Sequence, residues 1–169
     1  MQIIPVRTAD EIDEIRTLFR EYEAWLGVDL RFQDLESELA GLPGKYAAPD
    51  GVLLLTRDDR RAVGCGALRR FGRGEEKTCE MKRLYVRPEA RGLGIGRCLA
   101  ERLIAEACSL GYETMVLDTL DRLRAAMGLY RSLGFEQTSA YYENPLPGVV
   151  YWRLDLNCWQ SGSHCGGLG

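Results

Sequence analysis

The chain has 169 residues, 46% of them hydrophobic and 28% charged, the size and mix of one globular domain that buries its own core. A net charge of −3 and a pI near 5.3 argue against a nucleic-acid partner, which needs a phosphate-neutralising basic face. No apolar run approaches the roughly 20 residues that span a bilayer, and the N-terminus lacks the charged flank and apolar core of an export signal, so no membrane partner and a cytoplasmic location are expected.

Gln2 to Arg7, with Ile3, Ile4 and Val6, reads as a first strand. Thr8 followed by Glu11 is a capping-box signature. Ile12, Ile15, Leu18, Phe19 and Tyr22 then recur at helical spacing, so the spacing predicts a helix that runs to Leu26 and ends at Gly27. Asp34 to Leu42 fits a short helix with Leu35 and Leu39 inward, broken by Leu42-Pro43-Gly44, and Pro49-Asp50-Gly51 is a turn. Val52 to Thr56 and Ala62 to Leu68 are two strands joined by a polar turn over 57–61, hence an antiparallel hairpin.

Phe71-Gly72-Arg73-Gly74 turns the chain into a strand from Glu80 to Val86. Arg87-Pro88 stops it, because proline has no ladder N–H and biases its predecessor away from regular pairing. Four consecutive antiparallel strands, with a helical insertion after the first, are the result. A helix from Gly94 to Leu110 places Leu99, Leu103, Ala107 and Leu110 on one face, and Gly111 suits its C-terminal cap. Thr114 to Asp118 is a short strand, and Asp121 is placed to cap a helix carrying Ala126, Leu129, Tyr130 and Leu133. Strands near Gln137 and from Val149 to Leu156 complete the sheet. From Asn157 composition shifts to Gly, Ser and Cys, so residues 1–157 read as the domain and 158–169 as a frayed tail.

Six cysteines, at 65, 79, 98, 108, 158 and 165, form no clustered framework and read as mostly reduced and buried. Cys158, His164 and Cys165 are short of a ligand and lack a C-x-x-C, so no metal is expected.

The stretch that organises the chain is Arg91-Gly92-Leu93-Gly94-Ile95-Gly96, between the Val86 strand end and the helix that carries Arg97. Three glycines leave bare backbone where a helix begins, so several unpaired N–H groups can point at one anion. The nucleotide P-loop requires Gly-Lys-Ser/Thr, which is missing, and the dinucleotide fingerprint requires glycine where Arg97 stands. The order Val-x-Pro, then Arg-x-x-Gly-x-Gly, closely resembles the GNAT superfamily of acyl-CoA-dependent N-acetyltransferases. The run Glu80-Met81-Lys82-Arg83-Leu84-Tyr85-Val86 is similar to that of stand-alone bacterial members, and Leu129-Tyr130 through Gly134-Phe135 matches the superfamily's Leu-Tyr-x-x-x-Gly-Phe helix. The resemblance covers roughly Ile3 to Leu156.

What it implies is an α/β (mixed α+β) fold, with a mostly antiparallel sheet of roughly six to seven strands, one splayed parallel pair and about four helices. It implies acetyl-CoA as cosubstrate. Leu84, Tyr85 and Val86 would hold the pantetheine through main-chain atoms, with an N–H near Leu84 facing the oxyanion. Arg91, Gly92, Leu93, Gly94, Ile95, Gly96 and Arg97 would hold the pyrophosphate. Glu80 stands at the strand position where many relatives carry the base that takes the amine proton, on the face of Lys82, Leu84 and Val86 if no bulge intervenes; a salt bridge to a neighbouring cation is the other reading. Tyr130 would protonate the leaving thiolate. Leu123 stands where the family often has an asparagine that contacts the coenzyme.

Phe32, Lys82, Arg83, Tyr141, Tyr142 and Asn144 are the candidate acceptor residues, with Lys82 and Arg83 suited to a carboxylate on the acceptor. In the superfamily the segment from Val28 to Gly51 often shapes the substrate pocket; a surface connector packed by Phe32 and Tyr46 is the alternative. The expected reaction is acetyl transfer to a primary amine of a small or amino-acid-like molecule. Acetylation of a protein N-terminus or lysine, and acyl-CoA binding without turnover, stay open beside it. Both Glu80 and Tyr130 count against the last, since binding alone needs neither base nor acid. A homodimer is a further possibility: Val149, Val150, Tyr151 and Trp152 fit pairing between copies and a central strand equally.

Overall fold

The computed structural model describes residues 1–28, 34–72 and 76–159. In chain order these form β1 (Gln2–Pro5), α1 (Ala9–Leu26), α2 (Leu35–Ala40), β2 (Val52–Asp58), β3 (Arg61–Phe71), β4 (Thr78–Val86), α3 (Ile95–Ser109), β5 (Thr114–Leu120), α4 (Arg124–Ser132), β6 (Glu136–Thr138) and β7 (Val149–Asp155). The strands make one seven-stranded sheet in the order β1-β2-β3-β4-β5-β7-β6, antiparallel throughout except for β4 and β5.

Thr8 caps α1 as its pattern predicts: its hydroxyl accepts the Glu11 N–H at 3.3 Å, and the Glu11 carboxylate accepts the Thr8 N–H at 3.0 Å. Ile15, Leu18 and Phe19 of α1 pack with Leu35 and Leu39 of α2 against Leu53, Leu55, Cys65, Ala67 and Tyr85 on one face of the sheet. The opposite face is covered by α3 and α4, where Leu99, Leu103, Ile104, Met127 and Tyr130 pack on Leu68, Met81, Met115 and Trp152. The hydrophobic stripe of each helix thus buries against a sheet whose alternating residues supply both faces.

Several expectations are corrected. β1 stops at Pro5, two residues early, and the hairpin strands run on to Asp58 and from Arg61, which shrinks the turn to Asp59-Arg60. Asp121 does not cap α4: Leu123 occupies the cap with no side-chain bond, and the Asp121 N–H donates to the Gly148 carbonyl at 2.8 Å. β7 lies between β5 and β6 with Trp152 1% exposed, so it is an interior strand. Among the described cysteines only Cys65 and Cys79 are buried; Cys98 is half-buried, and Cys108 and Cys158 are exposed. All five are free thiols. Phe32, His164, Cys165 and the tail from 160 lie outside the described residues. None of the described helices is long and apolar enough to cross a membrane.

A bulge in β4 changes which residues share a face. Cys65 pairs with Tyr85 but Ala67 pairs with Lys82, so β4 carries one extra residue there, with Arg83 at φ 57°. Below the bulge Cys79 and Met81 face the α3 side; above it Leu84 and Val86 do, while Tyr85 faces α1. Glu80 therefore does not share a face with Leu84 and Val86.

Candidate active site

The site forms where β4 and β5 part. Their pairing matches Thr78 with Thr114, Cys79 with Met115 and Glu80 with Val116, and goes no further, although the strands continue to Val86 and Leu120. Beyond Glu80 the facing strand edges therefore have no sheet partner, and their peptide groups are available to a ligand. A cavity of about 630 Å³ fills the wedge, within the range of small-ligand pockets. Met81 to Val86 line it on one side and Asp118 to Leu120 on the other, with Tyr22, Trp25 and Leu26 of α1 and Asn144 and Leu146 near β7 around its rim.

At one end lies the glycine turn. Gly92 and Gly94 have φ of 81° and 77°, and a Cβ at either would meet nothing within 4 Å, so backbone conformation rather than space calls for glycine. Cys98 is the first residue of α3 whose N–H finds a helical acceptor, the Gly94 carbonyl at 3.1 Å. The N–H groups of Ile95, Gly96 and Arg97 are thus the orphan donors of a helix start, with the positive end of the helix dipole behind them. Leu93 is 69% exposed and adds only main chain to the turn.

Arg91 donates from Nε to the Val86 carbonyl at 2.9 Å and lays its guanidinium 4.3 Å from the centre of the Trp25 ring. Arg97 turns away. It bonds Glu101 at 3.3 Å and the Ser132 hydroxyl, and lies outside the cavity lining. Of the two arginines expected at the phosphates, only Arg91 borders the cavity.

The inner end is built from ion pairs. Glu80 is 0% exposed: its Oε2 accepts Nε and Nη2 of Arg69, each at 2.7 Å, and its Oε1 accepts the Tyr141 hydroxyl at 2.8 Å, with the Lys82 ammonium 3.7 Å away. Glu80 does not line the cavity, and this geometry is that of its salt-bridge reading. Lys82 reaches Asp118 Oδ1 at 3.3 Å. Asp118 Oδ2 also accepts the Tyr142 hydroxyl at 2.7 Å and the Asn144 amide at 3.0 Å.

Arg83 donates to Glu38 at 2.9 and 3.3 Å, with the two side chains 3% and 4% exposed. Burial alone would push the Glu38 carboxyl up, but Arg83 and Lys45 outweigh it and hold it at about 2. Lys82 and Arg83, expected to receive a carboxylate of the acceptor, are therefore both spent on carboxylates of the protein.

Tyr130 of α4 lines the cavity, with its ring held against Phe135 at 5.7 Å and Trp152 at 6.3 Å. Among the described residues none bonds its hydroxyl. Burial, with smaller contributions from Tyr22 and Asp118, raises this phenol well above its ordinary value of 10. Tyr22 is pushed up to about 12, mainly by burial, with Arg83 pulling down and Asp118 pushing up. Burial and the Glu80 carboxylate likewise raise Tyr141, and burial and Asp118 raise Tyr142, so both phenols stay protonated.

Comparison with known proteins matches residues 12–135 to the Acetyltransferase (GNAT) family. The chain belongs to the GNAT family. It is 46% identical to an uncharacterised N-acetyltransferase of Schizosaccharomyces pombe, over 93% of this chain and 96% of that one. It is 39% identical to an IAA acetyltransferase of Azospirillum brasilense, over 73% and 77% of the two chains. Among solved structures, a GNAT acetyltransferase from Staphylococcus aureus shares the fold with a TM-score of 0.75 at 18% identity, covering 92% of this chain and 98% of that one. The PaiA N-acetyltransferase of Thermoplasma acidophilum, solved in complex with coenzyme A, gives 0.69 at 16% identity, covering 92% and 99%.

As a GNAT protein the chain is an acyl-CoA-dependent N-acetyltransferase with acetyl-CoA as cosubstrate. The wedge fits that molecule: an anion seat of free N–H groups at one end leads to an unpaired strand edge along which an amide-containing arm can lie. Gly94→Ala should cost about 1–2 kcal/mol, because an L side chain is strained at this φ. It should weaken acetyl-CoA binding about tenfold in calorimetry as the turn relaxes, the equivalent of 1.4 kcal/mol.

Leu123, where the family often has an asparagine, lines the cavity with an apolar side chain. Sequence reasoning did not single out Asp118, Arg69, Glu38, Tyr22 or Trp25. Asp118 had one available signal: it stands beyond the parallel pairing at the C-terminal end of β5, and ligands of α/β sheets gather at such ends. Tyr22 and Trp25 are an i, i+3 aromatic pair at the end of α1, visible only once α1 is laid across β4.

Proposed function

We propose that this GNAT protein moves the acetyl group of acetyl-CoA to the primary amine of a small or amino-acid-like acceptor by direct transfer. The observation that carries the reading is the pair of walls that α1 and the segment before β7 raise along the cavity. Tyr22, Trp25 and Leu26 border it from α1, Asn144 and Leu146 border it from the approach to β7, and Arg122 bonds the Leu26 carbonyl across the rim. A space of about 630 Å³ shared with the pantetheine arm leaves room for a compact amine and favours it over a folded protein surface.

Acetyl-CoA supplies an activated acyl carbon bonded to a good leaving group. The N–H groups at Ile95, Gly96 and Arg97 seat the pyrophosphate, assisted by the main chain of Gly92 to Gly94 and by Arg91. The open edge of Leu84, Tyr85 and Val86 holds the pantetheine, and an N–H near Leu84 faces the developing oxyanion, where a preorganised donor is worth most. Tyr130 presents a protonated phenol for the departing sulfur. Glu80 is a positioning residue: through Arg69, Tyr141 and Lys82 it fixes the inner wall.

The test is acetyl-CoA-dependent thiol release with a panel of amino acids, polyamines, arylalkylamines and short peptides. Turnover with small amines and none with peptides is expected. Turnover confined to peptides moves the protein to N-terminal or lysine acetylation. Tight acetyl-CoA binding by calorimetry with no thiol release from any acceptor makes it a binding module.

A further inference from the structure

Asp118 is the carboxylate that meets the cavity. Among the described lining residues no other is acidic. Its side chain is 11% exposed, whereas Glu80 is sealed. Among the described residues Asp118 Oδ1 has only the Lys82 ammonium at 3.3 Å, which leaves lone-pair capacity on that oxygen, while Tyr142 and Asn144 fix the other. Around it stand Lys82, with Glu80 behind it, from β4; Tyr151, its register partner, from β7; and Tyr142 and Asn144 from the segment before β7. From α1 and α4 the phenols of Tyr22 and Tyr130 feel its charge, so the donor proposed for the thiolate and this carboxylate face one space.

We propose that Asp118, and not Glu80, is the catalytic residue that docks the acceptor's ammonium and takes its proton. This rests on the acetyltransferase reading above. In the step, Asp118 Oδ1 accepts a proton from the acceptor nitrogen. The freed lone pair forms the carbon–nitrogen bond to the acyl carbon as the carbon–sulfur bond breaks, and the sulfur leaves with the Tyr130 proton. The proton first taken by Asp118 passes to solvent, and the second proton of the newly acylated nitrogen passes to the Tyr130 phenolate, directly or through Asp118, so ammonium and thioester become amide and thiol with one proton released.

The proposal selects the substrate class. Asp118 matters for amines that arrive charged and little for those already neutral. The probes are n-butylamine, an aliphatic amine like that of lysine with a pKa of about 10.4, and glycinamide, an α-amino acceptor near about 8, both assayed at pH 8.5. Asp118→Asn keeps an oxygen for the Tyr142 hydroxyl and the Asn144 amide, while Lys82 loses its partner at 3.3 Å and retains Glu80 at 3.7 Å. It should lower turnover of n-butylamine by about 100-fold or more, and that of glycinamide less than tenfold. Calorimetric affinity of the CoA-loaded protein for n-butylamine should fall at least tenfold, with acetyl-CoA affinity unchanged. Asp118→Glu, which returns a carboxylate, should recover most of both losses and serves if the Asn variant melts early.

Equal losses for the two amines, or n-butylamine affinity left intact in the Asn variant, would overturn the assignment. Wild-type protein that binds acetyl-CoA yet releases thiol with neither amine counts instead against the acetyltransferase reading, and the amine titration then decides on Asp118 alone.

Discussion

Arg83→Leu should lower the unfolding free energy by about 3–5 kcal/mol, the cost of stripping one partner from a buried ion pair. The substitution leaves the Glu38 carboxylate, 4% exposed, with Lys45 and the Tyr46 hydroxyl as its partners. Leucine also keeps the φ of 57° at this bulge, so nothing is gained back from the backbone. Chemical denaturation at pH 7 measures the loss.

The same pair predicts how stability depends on acidity. Glu38 titrates at about 2 in the folded chain against an ordinary 4.5, so the unfolded chain binds the proton first. Its contribution is therefore fully present above about pH 4.5 and is lost as pH falls through about 2. Glu38→Gln should flatten that part of the stability profile. A wild-type and a Gln variant that lose stability in parallel over this window would show that the pair is not the acid-sensitive element.

Tyr130→Phe should lower kcat by about 10²–10⁴-fold, the usual worth of a positioned proton donor. Acetyl-CoA KM and melting temperature should barely move. Only the hydroxyl is lost, since phenylalanine keeps the ring against Phe135 and Trp152. Burial holds this phenol above its ordinary 10, so the wild-type rate should show no alkaline decline from Tyr130 up to pH 10. Retention of half or more of kcat by the Phe variant would remove Tyr130 from the chemistry.

Much of the scaffold is legible before any coordinates, because it is set by local signals. Thr8 and Glu11 announce α1, Pro88 ends β4, and the glycines from 92 to 96 mark a turn whose left-handed φ values few other residues adopt. The inner site is much less so. Whether Glu80 or Asp118 meets a substrate depends on one extra residue in β4 and on the point where two strands separate, and both are tertiary facts. Lys82–Asp118 spans 36 positions and Arg83–Glu38 spans 45, beyond any local pattern, while Glu80 and Arg69, 11 positions apart, are opposed only by the register of β3 against β4. A charge on a strand looks the same in sequence whether it awaits a ligand or is already neutralised, and this is why Lys82 and Arg83 read as acceptor groups.

A seat made of amide hydrogens and an unzipped strand edge recognises the path of the chain and is largely blind to what hangs from it. A side chain such as that of Leu93, 69% exposed, can thus be exchanged while the course of the backbone is kept. That asymmetry is in keeping with an architecture shared at a TM-score of 0.75 with 18% of residues identical. On the proposed reading, acceptor preference can change at the inner wall without disturbing the handle by which the donor molecule is grasped.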